Sequence, residues 1–324
     1  MAQAVDFHIR DILTREEIRN LSKTKDILGW LDLLTTWGMI GGCFVLLAWK
    51  SNFMTVPIAL IILGGRHLAL AILTHDAVHN AMFQSRRLNQ IVGTWLCAYP
   101  ALLDFQRYRT HHLRHHAYTG EPQDPDISLV ARFPVTRQAM FRKVLRDLSG
   151  VAALKRFIGI VLMATGYIEY TVAADVRKVD QTGRGWRDIV KDAIIYLHGP
   201  IIFHAVFFYV LYVSGHPHLY LWWWVSWATT FSLFIRLRSI AEHACTGVAD
   251  DPLMATRTTS ASIVARLTVA PHHVNYHLEH HLLMNVPSYH FRTMHRLLTE
   301  RGVYQRACYS QSYIELWRYA IKNG

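Results

Sequence analysis

Four long apolar runs, at 27–49, 53–73, 193–213 and 219–235, constrain this 324-residue chain more than any other feature. Each approaches the ~20 residues that a helix needs to cross a ~30 Å hydrocarbon layer. Lys50, Ser51 and Asn52 join the first two, and residues 214–218 join the last two. The pattern predicts two helical hairpins with both termini on one side of a membrane. The basic residues agree. Five Lys/Arg lie in 1–26, sixteen in 84–188 and ten in 236–324, leaving only Lys50, Arg66 and Lys191 of the 34 elsewhere. Positive charge marks the cytoplasmic face. Orientation therefore accounts for the formal net charge of +11, and no nucleic-acid partner is needed or suggested by a motif.

The expected fold class is an all-α integral membrane protein with four transmembrane helices in two hairpins. It forms one domain over 1–324, with 84–188 and 236–324 cytoplasmic or interfacial and folded as a helical cap. Two shorter runs, 91–103 and 157–174, read as helices lying in the interface. Residues 1–26 lack the ordered basic and apolar regions of a cleavable signal peptide. Cys43, Cys97, Cys245 and Cys308 lie far apart with no paired spacing, which argues against a thiolate zinc site, an iron–sulfur cluster or a disulfide scaffold.

Twenty histidines are far more than a core or a surface needs, and they cluster. His75 and His79 stand four apart, on one face of a helix, where the second run reaches the cytoplasmic side. His112, His115 and His116 repeat an H-x-x-H-H spacing in the first large polar stretch. His277, His280 and His281 repeat it in the last. Positions i, i+3 and i+4 of a helix project together, so three distant clusters on one side of the membrane point to one site. Imidazole suits iron, zinc, copper or nickel. Eight such ligands exceed one ion's coordination and fit two. His111 offers a competing H-x-x-x-H-H register, and His112 is preferred because it completes H-x-x-H-H.

The order and spacing of these boxes on a two-hairpin chain resemble the membrane fatty acid desaturase and hydroxylase superfamily over roughly 27–300. Tyr108-Arg109-Thr110, Asp124-Pro125-Asp126, Asn275-Tyr276 and 284–287 agree with it. The resemblance implies two irons, dioxygen as co-substrate, and a ninth ligand after the fourth span, at His243. Ser239 stands where some relatives carry an Asn that reaches the metal through water. Breaking an unactivated C–H bond is beyond any side chain and falls to the metals. Removing hydrogen from two neighbouring carbons gives a double bond, and adding oxygen gives an alcohol. Without a haem-binding segment, a dinucleotide fingerprint or a cysteine cluster, the chain needs an external electron donor of ferredoxin, rubredoxin or cytochrome type with its reductase. The basic polar stretch could steer such a carrier or contact anionic membrane lipid.

Ligating imidazoles usually donate their other N–H to a carboxylate or carbonyl. Asp76, Glu242 and Glu279 are the carboxylates placed for this. Asp124 and Asp126 are further candidates, or pins for the loop after the second box. Arg66 and His67 in the second run, with His198 and His204 in the third, are unusual polar residues for a membrane span. They read first as interhelical hydrogen bonding, with a polar-lined substrate pocket as the sharper alternative. Trp222, Trp223, Trp224 and Trp227 read as an interfacial aromatic belt.

The leading expectation is an oxygen-dependent di-iron desaturase of an acyl chain or lipid-like substrate in a bacterial inner membrane. A hydroxylase or ketolase, or a desaturase of a small amino-acid-derived or tailored metabolite, competes on the same scaffold. A metal-binding membrane transporter would need a continuous ionisable path, and Arg66, His67 and His204 are too few to make one.

Overall fold

The computed structural model describes residues 8–173, 175–247 and 251–322. The chain is mostly helical. Among the described residues, three helices are long and apolar enough to cross a membrane: Asp26–Trp49, Thr55–Val78 and Trp186–Val213. Leu, Ile, Val and Ala dominate all three, and Pro57 sits in the first turn of the second, where a missing N–H costs nothing. The most apolar stretch of Thr55–Val78 is 61% buried, against 33% and 28% for the other two. This helix is thus the central post, and its neighbours turn much of their surface outward.

The fourth run departs from the expected single helix. It forms Leu219–Ala228 and Thr230–His243, broken at Thr229, whose ψ of −86° is not helical. Helical backbone thus continues beyond residue 235 and carries the chain to His243. The third helix starts at Trp186, seven residues earlier than expected, with Asp188 accepting from the Gly185 N–H at its start.

Both expected interfacial stretches are more irregular than their apolarity suggested. Residues 91–103 run from the end of an α-helix through a π-helical turn, Gly93–Ala98, and a 3₁₀ turn, Tyr99–Ala101. Cys97 and Ala98 are fully buried against the central helix. In the second, the helix is Val151–Ala164 and the chain then turns, and residue 174 lies outside the described residues. Leu154, Phe157, Ile158 and Val161 of that helix are exposed.

Three apolar clusters surround the central helix. One joins Leu68 and Ile72 to Trp227, Phe231 and Val274. A second joins Leu73 and Ala77 to Val92, Phe105 and Tyr108. The third joins Leu63 and Leu70 to Phe44, Leu211 and Trp223. Trp223 and Trp227 therefore sit inside the bundle and form no interfacial belt. Trp223 lies under the His67 ring at 3.9 Å, and Trp227 under the Arg156 guanidinium at 4.2 Å.

Candidate metal centre

The central helix carries His75 and ends at His79. The helix Phe105–Ala117, capped by Asp104, carries His112, His115 and His116. Thr230–His243 ends on His243, and the short helix His277–Leu282 carries His277, His280 and His281. These four elements meet at one place. Their nitrogens fall into two groups: His75, His79, His112, His116 and His280, and then His115, His243, His277 and His281. Within each group the ligand atoms all lie within 4.8 Å of one another.

Neighbouring Nε2 atoms approach to hydrogen-bond distance, which is also the spacing of nitrogens gathered around a common ion. His75 and His280 are 2.9 Å apart, as are His280 and His116, and His112 and His116 are 3.0 Å apart. In the second group His277 lies 2.8 Å from His243 and 3.1 Å from His281. Metal–imidazole bonds of about 2.1 Å at right angles put adjacent nitrogens about 3 Å apart. The Nε2 atom of His79 is buried with no hydrogen-bond partner, as expected of a lone pair kept for a metal. The donor set fits two metal ions.

The outward nitrogens are then free to donate. His75 Nδ1–H donates to Asp76 at 3.0 Å, and His115 Nδ1–H donates to Asp124 at 2.8 Å. Glu242 lies 3.5 Å from His277 Nδ1 and is itself held by Arg238 at 2.6 Å. His281 Nδ1 lies 3.3 Å from the Thr119 hydroxyl. Asp124 also accepts from the Gly120 and Asp126 backbone N–H groups, so it pins its loop as well as its histidine.

Burial, with neighbouring histidines adding to it, holds His112, His277, His280 and His281 well below the usual imidazole pKa. These rings are neutral at physiological pH, which is the form that binds metal. His115 goes the other way. Burial is the largest single influence and opposes its charge, but the hydrogen bond to Asp124 and the nearby charges of Asp126, Asp124 and Glu242 together outweigh it and raise the pKa. Burial likewise opposes ionisation of Asp124, and His115 holds it below the usual carboxylate range.

Several expected site residues lie elsewhere. Glu279 touches no boxed histidine. Two residues past His277 on a six-residue helix, it points to the opposite face and accepts from His295, Tyr304 and Thr258. His111 faces away from both groups, its Nε2 at 2.8 Å from Asp126, while His112 is in the five-histidine group. Ser239 donates to the Ile235 carbonyl of its own helix. Arg66 donates to the Arg266 and Leu267 carbonyls, and His67 lies 3.1 Å from the Trp223 carbonyl. His204 lies 3.1 Å from the Tyr220 hydroxyl. These three tie elements together, as the interhelical reading expects. His198 is exposed, with Nδ1 against carbonyls of its own helix turn, so it is not a buried pocket residue. Sequence reasoning missed Arg238, Thr119 and His295. Only Arg238, four residues before Glu242 on one helix face, carried a signal.

Three long apolar helices and a two-part histidine cluster at the end of one of them define an integral membrane protein with a metal site. The sequence model of the fatty acid desaturase family matches residues 51–313. The chain belongs to that family, and its relatives make it an oxidoreductase. It is 24% identical to dihydrorhizobitoxine desaturase of Bradyrhizobium elkanii, over 85% of this chain and 76% of that protein. It is 22% identical to an sn-1 oleoyl-lipid 12-desaturase of Picosynechococcus, over 89% of this chain and 81% of that protein. A 110-residue stretch, 33% of this chain and 32% of the relative, is 30% identical to beta-carotene 4-ketolase 3 of Haematococcus lacustris.

Proposed function

We propose that the chain is an oxygen-dependent di-iron desaturase that introduces a double bond into an acyl chain or lipid-like substrate. The observation that carries this is the convergence of nine histidines into groups of five and four, in a chain of the desaturase family. Iron is the metal that imidazole ligation and this family's chemistry favour together. Two irons, when bound, supply the oxidising power that an unactivated C–H bond demands. The net change is R–CH2–CH2–R′ plus dioxygen, two electrons and two protons, giving R–CH=CH–R′ and two waters.

The chain's own residues do the rest. Nine imidazoles hold the metals. Asp76 and Asp124 fix which nitrogen of His75 and His115 carries the proton, and Arg238 holds Glu242 beside His277. The electrons come from a separate carrier of ferredoxin, rubredoxin or cytochrome type; one relative is a ferredoxin-linked omega-3 desaturase. In this reading Leu219–Ala228 and Thr230–His243 together make a fourth crossing. Both termini and the metal centre face the cytoplasm, and a bacterial inner membrane suits the orientation and the bacterial relatives. A small tailored metabolite is the second substrate reading, favoured by the Bradyrhizobium elkanii relative.

The test is the purified chain loaded with ferrous iron and supplied with a reducing system and dioxygen. Two irons per chain and a product two hydrogens lighter than its substrate are expected. A product gaining one oxygen would make it a hydroxylase or ketolase. Protein that takes up zinc alone, with His280→Ala leaving turnover intact, would overturn the di-iron reading.

A further inference from the structure

Arg66 stands eleven residues from the start of the Thr55–Val78 helix and twelve from its end. At 1.5 Å per residue the helix is about 36 Å long, so a ~30 Å hydrocarbon layer within it leaves Arg66 at least about 10 Å from the nearer surface. Arg66 is only 4% exposed, and its Nη2 donates to the carbonyls of Arg266 at 3.3 Å and Leu267 at 3.1 Å. The Leu267 carbonyl oxygen comes so near Gly65 that a Cβ there would meet it at 2.1 Å. Backbone from the stretch expected to be wholly cytoplasmic or interfacial therefore lies against the middle of a spanning helix.

The shape of that stretch fits. Thr259 and Asn275 close its neck, the Thr259 N–H donating to the Asn275 carbonyl and the Asn275 amide to the Thr259 carbonyl, both at 2.9 Å. At its tip the helix Ile263–Leu267 is capped by Ser262, which accepts from the Ala265 N–H, and the Thr268 hydroxyl donates to the Val264 carbonyl. Backbone polar groups satisfied within the protein are what hydrocarbon requires of irregular chain. His272 ties the return limb to the first helix, its Nε2 2.9 Å from the Thr36 hydroxyl. Ile263 and Val264 nevertheless point outward, 78% and 70% exposed, while their neighbour Ala265 is buried in the cluster around Leu68 and Ile72. Ile58 and Ile61, seven and four residues before Gly65 on the central helix, are outward as well, 56% and 43% exposed. Arg266 is the loop's one Lys/Arg, and it is half-buried.

We infer that 260–274 is a re-entrant loop, stapled to the central helix by Arg66, that buries Ile263 and Val264 among lipid acyl chains. It runs directly into His277–Leu282 and so forms a bilayer-embedded wall beside the metal centre. This rests on the reading that Thr55–Val78 crosses the bilayer.

The test uses the full chain in nanodiscs of phosphatidylethanolamine and phosphatidylglycerol, with Cys245 and Cys308 replaced by Ser. A nitroxide is placed at 264, at 61 or at the exposed polar position 296. Collision with dioxygen against a polar nickel chelate then reports depth. The 264 label should match the 61 label, with an oxygen-to-nickel ratio several-fold above that at 296. A 264 label that behaves like 296, or sits at headgroup depth, overturns the insertion. A 61 label that behaves like 296 instead overturns the membrane reading beneath it. Arg66→Ala should shift the 264 label toward the nickel chelate and leave 61 unchanged; no shift overturns the staple.

Discussion

Glu279 has no solvent exposure, and three donors converge on it: His295 at 2.6 Å, and Tyr304 and Thr258 at 2.5 Å each. Its helix has six residues and no side-chain cap, too short to stand alone, yet it presents three of the nine histidines. The carboxylate clamps that helix from behind, to three other segments. Glu279→Ala strands three donors, of which the Thr258 hydroxyl is buried and costs ~1–3 kcal/mol when left without a partner. Metal per chain after desalting should fall by more than half, with a melting temperature several degrees lower. Tyr304→Phe removes a single donor and should keep its metal. Metal analysis alongside thermal melts checks both. At the second box the spacing favours His112 and leaves His111 as a competing register, and the three-dimensional placement separates them, with His112 in the five-histidine group and His111 on Asp126. His112→Ala should lose metal, whereas His111→Ala, which removes a partner of Asp126, should weaken metal binding by no more than ~10–100-fold, the range for outer partners. Equal losses in a metal titration would contradict that assignment.

Among the elements, the three long apolar helices were legible because lipid demands long unbroken apolar helices, and composition records that demand directly. The histidine positions were legible because i, i+3 and i+4 share a helix face. The break at Thr229 was not, since neither Pro nor Gly marks it. Nor was the outward face of Glu279, because nothing in His-Leu-Glu-His-His says which side of a six-residue helix meets the metals. The close approach of the fourth run to the central helix was hidden in one glycine. A Cβ on Gly64 would lie 2.2 Å from the Thr230 hydroxyl and 2.9 Å from the Phe231 backbone nitrogen. Backbone cannot yield as a side-chain tip can, so Gly64→Ala must push the start of Thr230–His243 outward. His243 ends that helix, and Glu242 beside it faces His277. The variant should lose metal from the four-histidine group first, giving about half the wild-type metal content, while Gly38→Ala, which meets nothing within 4 Å, keeps all of it. Equal metal content in the two variants would show that the packing at Gly64 does not reach the site.

For the whole molecule, the unequal split of basic residues is a statement about the membrane potential and the insertion machinery, and the folded chain does not record it. It can be read out with the protein's own thiols. Cys43 and Cys97 are buried, Cys245 is exposed, and Cys308 is partly covered. Cys245 stands two residues beyond His243, on the same side of the proposed fourth crossing as the metal centre, and Ser51 lies in the opposite turn. With Cys308 replaced by Ser, a membrane-impermeant maleimide should label Cys245 in inverted inner-membrane vesicles and leave it untouched in intact spheroplasts. A Ser51→Cys chain lacking Cys245 should give the reverse. This pair of results distinguishes the possible topologies, because an even number of crossings separates neither terminus from the other, whereas a three-crossing chain would put Cys245 and the N-terminal basic residues on opposite faces. Labelling of Cys245 from outside would place the metal centre in the periplasm, out of reach of cytoplasmic electron carriers, and would remove the route by which the proposed reaction is supplied with electrons.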